Sequence, residues 1–328
     1  MNKNKKTLNI NANAIILIVM ILLCTLVFSL INKNFFSFAN LVNILLASTS
    51  VGFTSIGITF LMMIGGTDLS AGAVAAFCGV FMAWGLKFTN LPWWLLAIIC
   101  LFIASIAGAI NGLMVTKLKL VPFIATLVSQ SIWKGFGYLL CEGSPISISD
   151  KPYKTFISTK LFGFSIPIYI MFICFIIFSY VLSKTKFGRN IFAIGGNSEA
   201  ARLAGINSQK IIMTCYIMTS VFAGVAGIVL AGRMSSGNPS SNANIHFDAI
   251  TAANLGGVSM VGGVGSIPSV VLGILLVQFF NSGLNMANVS QYWQFVAKGL
   301  LLLGSLALDY YRQVAIEKKL LADTMKNL

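Results

Sequence analysis

The chain has 328 residues, 22 of them basic and 8 acidic, with a formal net charge of +14. Charged residues make up 9% of it and apolar residues 57%, whereas soluble domains carry about 25% charge. That balance excludes an ordinary soluble enzyme, a disordered chain and a nucleic-acid binder, and it assigns the chain to the membrane.

A membrane-crossing helix needs about 20 mostly apolar residues, so the apolar content suffices for roughly ten spans. Ten apolar segments are predicted, at 14–31, 41–64, 69–86, 93–116, 121–140, 166–183, 211–231, 246–262, 267–285 and 293–309. The expected fold class is an all-α integral membrane protein with about ten transmembrane segments, some broken or re-entrant. One transmembrane domain takes up 1–328, and little chain is left for a soluble part. The first segment follows Lys3, Lys5 and Lys6 and resembles a signal peptide. No small-x-small cleavage site follows it, so it reads as an uncleaved span.

The basic residues cluster in four regions: the N-terminus, Lys117 and Lys119, the stretch 184–210, and a tail with Arg312, Lys318, Lys319 and Lys326. An even number of spans places all four on one side, which the positive-inside rule makes the cytoplasm. Both termini are then cytoplasmic. Lys33 and the 141–165 and 232–245 loops fall on the other side. The +14 is thus an orientation signal.

Two glycine pairs interrupt apolar runs, in Gly65-Gly66-Thr67-Asp68-Leu69-Ser70 and Gly256-Gly257-Val258-Ser259-Met260-Val261. Breaks at membrane depth are tolerated where they are buried in protein or line a cavity. A transporter fits this better than an anchor, and an internal duplication is one reading of the two stretches. Asp68 is the first acidic residue of the chain. Thr67 or Asp68 either caps a helix starting at Leu69 or serves as a ligand or proton group. His246 and Asp248 mark a helix start, with Asp248 in the first turn, or have a gating or substrate role. Asn111, Gln130, Asn254, Gln278, Asn281, Asn285 and Gln294 would line a polar path or hold helices together.

Within 184–210, Ser198-Glu199-Ala200-Ala201-Arg202-Leu203-Ala204-Gly205 reads as a short helix. Ser198 is its N-cap, Arg202 lies at i+3 from Glu199, and Gly205 is its stop. It is either a surface helix on lipid headgroups or a docking helix for a cytoplasmic partner. The six cysteines mostly lie in apolar runs and read as small buried hydrophobes. A single histidine excludes a multi-His metal site. No GxxxxGK[ST], HExxH or GxSxG occurs, so no ATPase, zinc-protease or hydrolase chemistry of its own is expected, and no cofactor or metal is assigned.

From Phe35 to Asp309 the chain resembles the permease subunits of bacterial ABC importers, in the ribose and simple-sugar branch of the family that includes branched-chain amino-acid permeases. The resemblance is carried by 40–45, Gly65-Gly66-Thr67-Asp68-Leu69-Ser70-Ala71-Gly72, 123–127 and Gly143-Ser144-Pro145. It continues through 188–197, 201–207, Asp248-Ala249-Ile250-Thr251-Ala252, Leu255-Gly256-Gly257 and Gly262-Gly263-Val264-Gly265.

It implies a permease that pairs with a second copy, as a homo- or heterodimer, in the bacterial cytoplasmic membrane. It also implies an ABC ATPase subunit and an extracytoplasmic solute-binding protein that delivers a small sugar. The coupling residues would be Gly195, Gly196, Asn197, Ser198, Glu199, Ala200, Arg202, Leu203 and Gly205. The path or helix-break residues would be Gly65, Gly66, Thr67, Asp68, Ser70, Asp248, Asn254, Gly256 and Gly257. Such permeases often have an acid where this chain has His246, and Gly-Gly-Lys-Gly-Arg where it has Gly262-Gly263-Val264-Gly265-Ser266. The expected function is ATP-driven import of a ribose-like monosaccharide. The alternatives are amino-acid or nucleoside import within the same family, and an ion-coupled secondary carrier. A membrane-embedded enzyme would need clustered acid-base or metal residues.

Overall fold

A computed structural model describes residues 4–241 and 244–325. Lys3 and Lys326 lie outside the described residues, as do the side chains of Lys5, Lys6, Arg312, Lys318 and Lys319. The first half comprises α1 (Asn4–Ile31), α2 (Phe38–Met63), α3 (Ala71–Phe88), α4 (Trp93–Thr116) and α5 (Pro122–Leu140). A link with β1 (Ile146–Ser147), α6 (Lys151–Ser158), β2 (Lys160–Leu161) and β3 (Phe164–Ser165) leads to α7 (Ile166–Lys184). Then come α8 (Lys186–Gly196), α9 (Ser198–Leu203), α10 (Ser208–Met234), β4 (Ser236–Gly237), α11 (Ile245–Leu255), α12 (Ile267–Met286) and α13 (Gln291–Met325).

Among the described residues, seven helices are long and apolar enough to cross a membrane: α1 over Asn13–Ile31, α2, α3, α4, α7, α10 and α12. Three expected spans fall outside that set. α5 carries Ser129, Gln130, Ser131 and Lys134 in 19 residues. α13 has Gln291, Gln294 and Lys298 in its first turns. The expected span 246–262 is corrected: α11 stops at Leu255, and at 1.5 Å per residue its 11 residues are about 16 Å long, half a bilayer core.

The core sits on α2 and α10. α2 is buried nearly all round, and α10 lies against α2, α3 and α4. Lipid supplies no hydrophobic drive between helices, so they hold by close van der Waals packing at small residues. Gly227 of α10 shows this: a Cβ there would overlap the Ala75 carbonyl of α3. The outward faces of α1, α4 and α7 are exposed and apolar, as Leu22, Phe102 and Ile176 show.

Contacts sort the links into two ends. β1 pairs antiparallel with β4, and Tyr138 Oη lies 3.0 Å from Ser240 Oγ. Asn32 Nδ2 donates to the Met286 carbonyl at 3.0 Å. Trp93 stacks on Phe156 of α6. The links around 32–37, 89–92, 141–165, 235–241 and 287–290 therefore share one end. At the other end the Gly263 amide donates to Met63 O at 2.9 Å and the Leu69 amide to Thr126 Oγ1 at 3.2 Å. That end gathers the links at 64–70, 117–121, 185–207 and 256–266. The internal basic clusters Lys117/Lys119 and 184–210 fall at this second end, as the charge map expects.

Candidate functional site

The second end is built on helix stops. α2 closes with Gly65 at φ +76°; its amide donates to Met62 O and the Gly66 amide to Leu61 O. α11 closes the same way, with Gly257 at φ +84°, its amide on Asn254 O and Val258 N on Ala253 O. α9 repeats the pattern at Gly205, φ +80°, with bonds to Arg202 O and from Ile206 to Ala201 O. Each is a paired-bond stop that only a left-handed residue completes, which glycine adopts without strain. The left-handed glycine is the first of the pair at Gly65-Gly66 and the second at Gly256-Gly257, so the two stretches share a stop but not its register.

At the break after α2, the helix begins at Ala71, two residues later than expected. Asp68 is buried. Its Oδ1 accepts from the Ser70 amide at 2.8 Å and from Ser70 Oγ at 2.6 Å. Asn111 Nδ2 of α4 donates to Ser70 Oγ at 2.8 Å, and Tyr216 Oη of α10 donates to Thr67 O at 3.2 Å. Asp68 Oδ2 and Asn111 Oδ1 have no hydrogen-bond partner. Asp68 thus folds the turn ahead of α3, and Ser70 carries the turn on to α4. Of the polar residues left open by the sequence, Asn111 joins helices, as does Gln294 of α13, which donates to Asn285 of α12 at 3.0 Å.

Asp248 lies in the first turn of α11, as expected. Its Oδ2 pairs with Lys298 Nζ of α13 at 3.2 Å, a partner the sequence reading missed because 50 residues separate the two. His246 is fully buried beside Phe247, ring centroids 4.2 Å apart, with neither ring nitrogen bonded. Asn254 is buried and its amide is also unbonded. Gly256 lets the end of α11 lie against Ser269 and Val270 of α12.

The short helix α9 is exposed at the same end as the Asp68 turn. Its N-cap is Asn197, where Ser198 was expected: Asn197 Oδ1 accepts from the Glu199 amide at 3.1 Å and the Ala200 amide at 2.9 Å. Ser198 is the first helical residue. Arg202 grips Glu199 with two bonds, Nε to Oε2 at 3.0 Å and Nη2 to Oε1 at 2.6 Å. Arg202 holds the Glu199 carboxyl below the usual carboxylate range, and Glu199 raises the guanidinium in return. Ala201 is the buried contact, while Leu203 stands 75% exposed. Gly195 and Gly196 end α8 directly before it.

The predicted residues thus fall into two neighbourhoods. Gly65 to Ser70 and 195–205 share the second end, with Gly256 and Gly257. Asp248 belongs with Lys298 at the other end of α11. Among the described residues, no group of three or more His, Cys, Asp or Glu side chains could hold a metal ion.

Comparison with known proteins places this arrangement. The chain is 35% identical over 298 residues to the ribose import permease protein RbsC of Haemophilus influenzae, covering 90% of this chain and 92% of that one. It is 36% identical over 290 residues to the L-arabinose transport system permease protein AraH of Escherichia coli, covering 86% of each. It is 33% identical over 286 residues to the ribose import permease protein RbsC of Bacillus subtilis, covering 87% and 88%. No solved structure matches the chain. The family described as the permease component of the branched-chain amino acid transport system matches residues 40–306, and the chain belongs to that family of membrane permeases.

Proposed function

We propose that this chain is the transmembrane subunit of an ATP-binding-cassette importer that moves a ribose- or arabinose-like monosaccharide inward. The observation that carries this reading is the 33–36% identity to ribose and L-arabinose permeases over most of each chain. In this reading the chain is one permease domain of ten passes: the seven apolar helices, α5, α13, and α11 as a half-length pass continued by irregular backbone. It pairs with a second copy in the bacterial cytoplasmic membrane, with both termini cytoplasmic. It has no phosphate loop, so a separate ATPase subunit hydrolyses ATP, and a solute-binding protein delivers the sugar at the opposite face.

The exposed α9, with Gly195 to Gly205 around it, is the dock for the ATPase. Nucleotide-driven closure of the ATPase pair moves α9. The movement reaches the Asp68 turn and the α11 stop at the same end, which biases the path between outward and inward access. The permease needs no tight sugar site, because the binding protein supplies affinity. That suits spans with few ionisable groups.

Proteoliposomes holding the permease, ATPase and loaded binding protein are expected to take up sugar only with ATP. Uptake by this chain alone, driven by an ion gradient, would overturn the proposal in favour of a secondary carrier. Titrating the binding protein with ribose, arabinose, leucine and a nucleoside decides among the substrates the family carries.

A further inference from the structure

Three segments remote in sequence meet backbone to backbone beside α9. Gly263 N donates to Met63 O at the end of α2, at 2.9 Å. A Cβ at Gly195 of α8 would overlap that same carbonyl oxygen and the Gly263 amide. A Cβ at Gly262 would lie 3.0 Å from Gly195 O. The link between α11 and α12 is further tied to α13, with the Met260 amide donating to Asp309 Oδ2 at 3.3 Å. No side chain separates these backbones at Gly195, Gly262 and Gly263, so the link and the base of α9 form one joint.

On this joint two apolar side chains stand outward, Val261 at 70% and Val264 at 53% exposure. Acyl chains do not cover them. The link is irregular, with Gly262 at φ +103° and Gly263 at φ +74°, and irregular backbone is not tolerated facing hydrocarbon. Anionic headgroups do not draw it either, since no charged residue occurs between Asp248 and Lys298. At the same end, Leu203 of α9 is also exposed, at 75%.

We propose that the α11–α12 link, through Val261 and Val264, is a second contact surface for the ATPase subunit, joined to α9 through Gly195. The opposing surface on the ATPase is apolar here, and polar where it meets Glu199 and Arg202. This rests on α9 being the ATPase dock. Its consequence is mechanical: the ATPase pushes on α9 and on the end of α11 together, so the two move as one body.

The test places a photo-crosslinking amino acid at 203, 261 or 264, and at Phe162 at the opposite end as control, in the intact complex in native membranes. The cross-linked subunit is identified by mass spectrometry through its phosphate-loop peptide. Links to the ATPase from 203, 261 and 264 but not from 162 are expected. A link from 203 with none from 261 and 264 would overturn this proposal and leave the α9 dock standing. No link from any of the three would remove the dock itself, and this surface with it.

Discussion

Asp68 spends one carboxylate oxygen on the Ser70 amide and hydroxyl, and an amide oxygen can take over both bonds. Asp68→Asn is therefore expected to retain at least half of wild-type transport, while Asp68→Leu, which leaves the buried Ser70 amide unpaired, loses tenfold or more. Equal loss in both variants would show that the charge itself is needed.

At α9 the Glu199–Arg202 pair is two-thirds exposed on each side, so it adds little to folding. The double exchange Glu199→Lys with Arg202→Glu preserves a pair inside the helix but reverses the charges shown to a partner. ATP hydrolysis without sugar uptake is expected from it. Unchanged coupling would reduce the pair to helix support. Because Arg202 lowers the Glu199 pKa, the carboxylate stays charged until pH falls below its ordinary range, and the pair's contribution is lost only on descending through that lowered value. Coupling measured between pH 8 and about 5 is expected to be flat on this account.

Among the elements, α10 depends on close approach. Gly227→Ala puts a methyl into the Ala75 carbonyl, and forcing the helices apart costs about 1–3 kcal/mol. A lower Tm in detergent, with transport reduced in proportion to folded protein, is expected. α11 and α13 are held by Asp248 and Lys298, whose side chains are 18% and 35% exposed. Lys298→Met alone leaves a largely buried carboxylate unpaired and is expected to destabilise by about 1–2 kcal/mol, between the surface and buried limits. Adding Asp248→Asn should restore part of that in a double-mutant cycle.

Element ends were legible where one residue type has the needed conformation. Gly65 and Gly205 are helix stops because a left-handed φ admits glycine most readily, and Gly257 does the same inside a run read as one span. Starts were less legible: Asn197 and Ser198 are both good caps, and only the amide directions in the structure choose Asn197. The 246–262 run looked like one span because apolar content does not register where a backbone leaves the helix.

At the scale of the whole molecule, Lys134 stands exposed on α5 with Gly135 beside it in open space. A lysine on a lipid-facing helix surface carries a cost that grows toward the bilayer centre, so if α5 crosses the membrane as proposed, protein or a water-filled path against this face would relieve it. If two copies pair as proposed, a cysteine at Ser131 or Gly135 is expected to cross-link to a second copy of the chain. A cysteine at Ile98, on the lipid-like face of α4, should not.

The sequence by itself determined the membrane class, the family, the segregation of the internal basic links to one end, and the short capped helix between α8 and α10. Those follow from composition, charge order and local turn chemistry, which act over a few residues. Only the tertiary structure decided that Asp68 works through Ser70 and Asn111, that Asp248 has Lys298 as its partner, and that the ends of α2 and α8 meet the α11–α12 link at Gly65, Gly195 and Gly262-Gly263. Apart from Asp68 and Ser70, those contacts join residues tens to nearly 200 positions apart, and close packing of backbones at glycine leaves no periodicity in the sequence to announce it.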